Sequence, residues 1–305
     1  MSEGPEVRIA ADKIYAALSN RITIENIIYN KISDEIKNKI IGSSVEHVKT
    51  FGKNIVIKFS TTVYLRNHMM MWGKWRIYDR ESYDNGIARP PPRSRYSLFY
   101  KQPKNNNQTR KIESTDVRKD SRARLTIVTA DKVLVQFNGP IIEFSFVDPS
   151  TKPPISLLGP DGLKKEYDKD RVISNLVSKS KKDKDLVISK ALLDQQIVSG
   201  IGNKYKSEIL FLNQIFPFLK VTSLSQYDLD QLVSNIPKIL DIGYINNGRT
   251  RLPSPSHDKI TWNTTHWVFR RTGKQCWICG SIILSEKKTT SRSTFWCPTC
   301  QLIKE

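Results

Sequence analysis

Apolar residues at positions 7, 10, 14 and 18 recur at helical spacing, so Val7, Ala10, Ile14 and Leu18 predict an amphipathic helix at the start of the chain. Pro5 suits its first turn, and Glu3 and Glu6 fall near its positive end. The period then shortens. "SSVEHVKTF", "NIVIKFS", "VYLRNHMM" and "KWRIYD" alternate or run apolar, with "FGKN" as a turn, and predict strands. "RLTIVT", "KVLVQFN" and "IIEFSFV" continue the β pattern. The second half reads as helical: a stretch holding Ile173, Leu176 and Val177, then "DLVISKALLDQ", "KYKSEILFLNQI" and "SQYDLDQLVSNIPKILDIGYI". Pro-rich "DPSTKPPISLLGPDGL" separates the halves. The pattern predicts an α+β chain with a β-rich domain over 1–150 and a helical domain over 151–305.

One segment fits neither period. Residues 84–122 contain triple Pro, triple Asn and ten basic against four acidic residues, which cannot build a core. They read as a flexible basic insertion, either a plain solvated loop or a clamp on DNA. Charge sharpens this: 49 Lys and Arg against 30 Asp and Glu leave +19 over 305 residues, well beyond what solubility needs. Such an excess points to a polyanion, nucleic acid first and an acidic membrane surface second. No run of about 18 apolar residues predicts a membrane span, and no basic-then-apolar leader opens the chain. A reducing intracellular setting is expected: the nucleus, or the cytoplasm or a viral replication site.

The tail carries the sharpest local chemistry. "CWIC" at Cys276 and Cys279 is followed after 17 residues by "CPTC" at Cys297 and Cys300. Two CxxC pairs at this separation aim four thiolates at one zinc ion, and in a reducing setting zinc is favoured over disulfides. A closed four-thiolate set predicts one structural zinc in a finger over 270–305, with no open position for catalysis. "SIILS" and "STFWC" are its predicted strands, joined by "EKKTTSR". Arg292 lies near that turn, available to an anion or simply solvated.

"LLDQQIVSGIGNKYKSEIL" places Gly200 and Gly202 between two apolar-patterned helices. Asn203 would open the second helix, where free N–H groups favour a phosphate, and Lys204 and Lys206 add charge. An ordinary packing corner between helices explains the glycines equally well.

Taken in order, "SEGPE", "TFGKN" with Lys53, "LLGPDGL", "ALLDQQIVSGIGNKYKSEIL" and "CWICG…TSRSTFWCPTCQ" resemble the formamidopyrimidine-DNA glycosylase/endonuclease VIII family. "NHMMMWGKW" after "TFGKN" looks closer to the endonuclease VIII branch. The resemblance implies a β-sandwich flanked by the N-terminal helix, and a helix–two-turn–helix domain ending in a zinc finger. It implies a bifunctional DNA glycosylase/AP lyase working as a monomer on damaged DNA, double- or single-stranded, in the cleft between the domains. It makes the α-amine of Ser2 the nucleophile, once Met1 is removed, and Glu3 its acid/base partner. It puts Lys53, Arg292 and Asn203 on phosphates around a flipped nucleotide, gives Lys53 and Arg292 a catalytic part in the elimination steps, and puts Met70, Met71 and Trp72 in the gap that nucleotide leaves. Without the resemblance, "MMMW" reads equally as strand core, the reading preferred for Met69. Glu6 reads as a helix-start carboxylate rather than a catalytic one.

Two positions depart from the family pattern. Ser2 stands where Pro is usual, replacing a secondary amine by a primary one. Leu157 stands where many relatives carry an Arg that touches DNA. A non-catalytic damage-binding protein on the same fold is the competing reading, and a generic zinc-ribbon binder a third.

Overall fold

The chain opens on α1 (Gly4–Leu18), which buries Val7, Ile14 and Leu18 completely. Ala11, rather than the expected Ala10, completes the stripe. The computed structural model describes residues 2–19, 21–92, 116–252, 261, 264–287, 289–290 and 292–302. Glu6 lies in the first turn of α1, and its carboxylate accepts the Glu3 N–H at 3.2 Å. That is one half of a capping box, the reach of a third-position Glu back to the residue before the helix. The other half is missing, because the Glu3 side chain is engaged elsewhere.

Two four-stranded sheets follow. One runs β1 (Ile24–Ile28), β6 (Ala123–Thr129), β7 (Lys132–Phe137), β5 (Lys74–Asp79), each neighbouring pair antiparallel. The other runs β2 (Val45–Phe51), β3 (Asn54–Phe59), β4 (Tyr64–His68), β8 (Ile141–Ser145). All seven predicted strands form. The pattern missed β1, α2 (Asp34–Ile40) and α3 (Arg80–Asp84). Strand β1 carries an irregularity between Ile24 and Asn26 that breaks its alternation. Helix α2 buries only Ile40 and α3 buries nothing, so neither has an apolar stripe to read. Of the basic segment 84–122, residues 93–115 lie outside the described residues. Its C-terminal flank is pinned by carboxylates: Asp116 accepts from the Arg118 N–H and Asp120 from the Arg122 N–H, both at 2.9 Å.

The chain forms two units: Asp12–Val48 with Ile57–Val147, and Met1–Ala11 with Lys49–Val56 and Asp148–Glu305. The second holds α4 (Lys169–Lys182), α5 (Ile188–Ala191), α6 (Asn203–Leu212) and α7 (Gln226–Ile245). Their core is aliphatic, with Leu176, Ile188, Ile209, Leu232 and Ile236 at its centre. The helix predicted across "DLVISKALLDQ" shrinks to four residues, because Val187 is drawn into an extended bridge with Lys220. The tail forms the expected ribbon, β9 (Leu284–Glu286) antiparallel to β10 (Thr294–Trp296). Among the described residues no helix is long and apolar enough to cross a membrane.

Glu208 ties the tail to α6. Fully buried, it accepts from the N–H groups of Trp267, Val268 and Phe269 at 2.8–2.9 Å, and from the Thr250 hydroxyl. Phe211, one turn on, packs with Val268, Phe269, Ile283 and Phe295 around Cys276 and Cys297. Removing a buried acceptor strands every donor it served. Glu208→Ala should therefore cost at least about 3 kcal/mol in urea-unfolding free energy, whereas Glu208→Gln, which keeps one oxygen, should cost less.

Candidate active site and zinc centre

The turn before α6 leaves its first N–H groups without helical partners. The side chain that fills them comes from residue 3. Glu3, 1% exposed, accepts from the N–H groups of Gly202 at 3.0 Å, Lys204 at 2.9 Å and Tyr205 at 3.1 Å. A Cβ on Gly202 would lie 2.4 Å from the Glu3 carboxyl carbon, so only glycine admits this contact. The main chain beside it is tied as well: the Gly4 N–H donates to the Gly200 carbonyl at 2.8 Å. Glu3 thus precedes α1, as the sequence pattern suggested, but its carboxylate sits at the positive end of α6. The helix end expected to favour a phosphate already holds a carboxylate.

The other early motifs meet the same turn. Gly52 of "TFGKN" donates its N–H to Asp161 of "LLGPDGL" at 2.8 Å, and a Cβ on Gly52 would touch Ser199 at 3.0 Å. Burial pushes the Asp161 carboxyl up, against the pull of the Leu163 and Gly52 N–H groups. Lys53, next in line, is pushed down to about 8, chiefly by burial; Glu3 opposes that shift and Arg292 adds to it. Lys206 is fully buried and pushed down to about 7, again chiefly by burial, with Glu3 opposing and Arg292 adding. Lys53, Lys206, Glu3 and Arg292 therefore share one electrostatic neighbourhood.

Lys204 is not a solvated charge. It is only 4% exposed, and its ammonium meets Glu6 and donates to the Gly248 carbonyl at 2.9 Å. Asn203 is buried too, donating through Nδ2 to the Ser293 carbonyl at 2.8 Å. Arg292 is exposed, and Ser2 is half-buried. In the other unit, the β4–β5 turn buries Met69 and exposes Met70, Met71 and Trp72. Met70 holds φ +51° there, its N–H donating to His68 Nδ1 at 3.1 Å. Leu157 is exposed in a short helical turn.

Sequence reasoning passed over the role of Gly202 as the seat for Glu3, and the reach of Lys206. The first signal was the pairing of a Glu near the N-terminus with a glycine just before a helix. The second was a Lys inside an otherwise apolar helix face.

The four cysteines converge. Their sulfurs all lie within 4.8 Å of one another, with Cys276–Cys300 at 3.8 Å and Cys279–Cys297 at 3.4 Å. Tetrahedral zinc–thiolate bonds of about 2.3 Å put sulfurs about 3.8 Å apart, so the donor set and its span fit zinc. With all four positions taken by sulfur, such an ion would brace the ribbon that carries Arg292.

Residues 1–140 match the model described as the formamidopyrimidine-DNA glycosylase N-terminal domain, and 158–252 the one described as the formamidopyrimidine-DNA glycosylase H2TH domain. The chain belongs to the formamidopyrimidine-DNA glycosylase/endonuclease VIII family. Endonuclease 8 of Escherichia coli is 28% identical over 303 residues, covering 99% of this chain and 100% of the relative. Endonuclease 8 of Salmonella arizonae is 27% identical with the same coverage. A complex between Lactococcus lactis Fpg and DNA containing an abasic site shares the fold at TM-score 0.71 and 21% identity, covering 99% of this chain and 100% of that one. So does wild-type L. lactis Fpg with DNA containing an oxidized pyrimidine, at TM-score 0.72 and 21% identity with the same coverage. Membership makes the chain a base-excision DNA glycosylase on an α+β fold with a helix–two-turn–helix domain.

Two measurements check this centre. Metal analysis of the purified chain should find one zinc, and Cys279→Ser should lower both zinc content and melting temperature. The buried amine of Lys206 sets a pH trend. The unfolded chain holds that proton up to its ordinary value of 10.5, the folded chain only to about 7. The unfolded state therefore binds more protons between those values, so stability rises with pH across that window. Lys206→Met should flatten that rise in urea titrations.

Proposed function

We propose that this chain excises oxidised bases from DNA, pyrimidines preferred, and cleaves the strand at the resulting abasic site. The observation that carries the proposal is Glu3, locked by three main-chain N–H groups on the two-turn motif beside the first residue of the mature chain. A nucleophile at Ser2 is thereby held to a fixed place by its neighbours at 3 and 4.

The chemistry follows from an α-amine. Its ordinary pKa of about 7.7–8.0 leaves far more of it unprotonated at neutral pH than a lysine at about 10.4. The target nucleotide must first be turned out of the stack, at a cost of a few kcal/mol. Met70, Met71 and Trp72, exposed on one turn, are suited to fill the gap. The Ser2 nitrogen then attacks C1′, the N-glycosidic bond breaks, and its electron pair leaves with the base. Glu3 carries a proton to the ring oxygen as the sugar opens. The resulting iminium acidifies the C2′ proton; its loss expels the 3′ phosphate, which is β-elimination. A primary amine at Ser2 gives an iminium that can lose its proton to a neutral imine, so the elimination steps run slower than with a ring nitrogen. Lys53, Asn203 and Arg292 hold the phosphates around the flipped nucleotide, while Lys204 positions Glu6 instead of touching DNA.

Borohydride reduction of the mature chain on abasic-site DNA should yield a covalent adduct through residue 2. A chain proven by mass spectrometry to start at an unblocked Ser2 that traps nothing would leave the damage-binding reading in its place. Glu3→Gln should abolish base removal and retain DNA binding, as read by gel shift and single-turnover release. Lys53 loses its charge as pH rises through about 8. DNA affinity should therefore weaken across that value, and Lys53→Met should remove that part of the profile.

A further inference from the structure

The proposed mechanism leaves the buried amine of Lys206 unused. Lys206 is fully enclosed, yet its amine is not idle. Nζ donates to Asn203 Oδ1 at 2.9 Å, within α6, and to Thr294 Oγ1 at 2.8 Å, on β10. Asn203 in turn donates to the Ser293 carbonyl at 2.8 Å. Thr294 and Thr290 share a hydroxyl contact at 3.2 Å, and the Thr290 hydroxyl donates to the Arg292 carbonyl. Residues 290, 292, 293 and 294 are thus held on the first turn of α6 by a network whose centre is one amine.

A methionine would fill this volume without the cost of burying an amine, and Lys206 is far below its ordinary pKa because of that cost. What the amine supplies in return is direction. Charged or neutral, the amine has an N–H donor for each of the two acceptors found. It fixes the amide of Asn203 so that Oδ1 faces inward and Nδ2 grips the ribbon, and it anchors the strand that follows Arg292.

We propose that Lys206 is a positioning residue for the phosphate grip: by tying the first turn of α6 to β10, it presents Asn203 and Arg292 to one DNA phosphate as a unit. This rests on the reading of Asn203 and Arg292 as phosphate contacts.

The test uses the full zinc-loaded chain and a duplex carrying tetrahydrofuran, an abasic analogue that cannot be cleaved. Binding is followed against salt for wild type, Lys206→Met, Thr294→Val, Arg292→Ala and the Lys206→Met/Arg292→Ala pair. Arg292→Ala should lower the salt slope by about one unit. Lys206→Met and Thr294→Val should each raise Kd about tenfold and lower the slope similarly, and the paired variant should lose no more than Arg292→Ala alone. On a cleavable substrate, Lys206→Met should raise KM more than it lowers kcat, while its melting temperature holds or rises. Additive losses in the pair, or an unaltered Kd in Lys206→Met, overturn the proposal. Should Lys206→Met fail to fold, an unaltered Thr294→Val does the same. An unchanged slope in Arg292→Ala refutes the phosphate reading itself, and the role of Lys206 falls with it.

Discussion

A single carboxylate closes the N-terminus of α6, and it belongs to residue 3. Any helix start must find partners for its first N–H groups, commonly from a Ser, Thr, Asp or Asn just before it. Here Gly202 occupies that place, with no side chain to offer and no Cβ to obstruct one arriving from some 200 residues away in sequence. Several features follow. The N-terminal peptide is fixed by the same contact that completes the helix. Glu3 cannot cap its own helix, so Glu6 reaches back to the Glu3 N–H. Glu6 then lies near the interior and takes Lys204 as its countercharge, which removes Lys204 from the surface. Asn203 has no helix start to cap and turns to the ribbon.

The same carboxylate governs the charges around it. Burial is the largest influence on Lys53 and on Lys206, and it drives both toward the neutral amine. Glu3 opposes burial in each case, and Arg292 reinforces it. A site with two depressed lysines, one arginine and a carboxylate already committed to three N–H groups is short of negative charge. On the proposed reading an arriving phosphate would supply it, and would restore the charged state of amines that burial had discouraged. Affinity for DNA and the protonation of this centre would then be one equilibrium.

Much of this was legible in the sequence, and the reasons are uneven. Seven strands and the stripe of α1 were readable because apolar residues run or recur along them: β3 and β7 are buried almost throughout, and α1 along one stripe. The four-cysteine cluster was readable because metal-site geometry constrains spacing: Cys276, Cys279, Cys297 and Cys300 lie together in space as their two pairs implied. Strand β1 was not, because its irregular register breaks the alternation. The "SGIGN" turn was visible as a turn, but its partner was not. Periodicity reports which residues face inward within one element; it carries no information on which distant side chain fills a helix end. Lys204 and Lys206 illustrate the limit. Both read as added surface charge, and both are buried, one against a carboxylate and one between two neutral oxygens.

Ser2 is where architecture and chemistry separate. In a family that usually opens on proline, the ring could be credited with setting the geometry of the nucleophile. The contacts here argue otherwise. The Gly4 N–H on the Gly200 carbonyl and Glu3 on α6 both fix the chain beside residue 2, and neither contact demands a ring there. What the ring would add is a secondary amine, whose adduct with the sugar is an iminium that cannot shed its charge by losing a proton from nitrogen. With serine that escape is open. On the proposed mechanism the substitution would leave the approach to C1′ intact and act on the lifetime of the charged intermediate, the species from which elimination would proceed. Base removal would then depend on the first of these and strand cleavage on the second, so serine at residue 2 would separate two activities that proline there would keep linked.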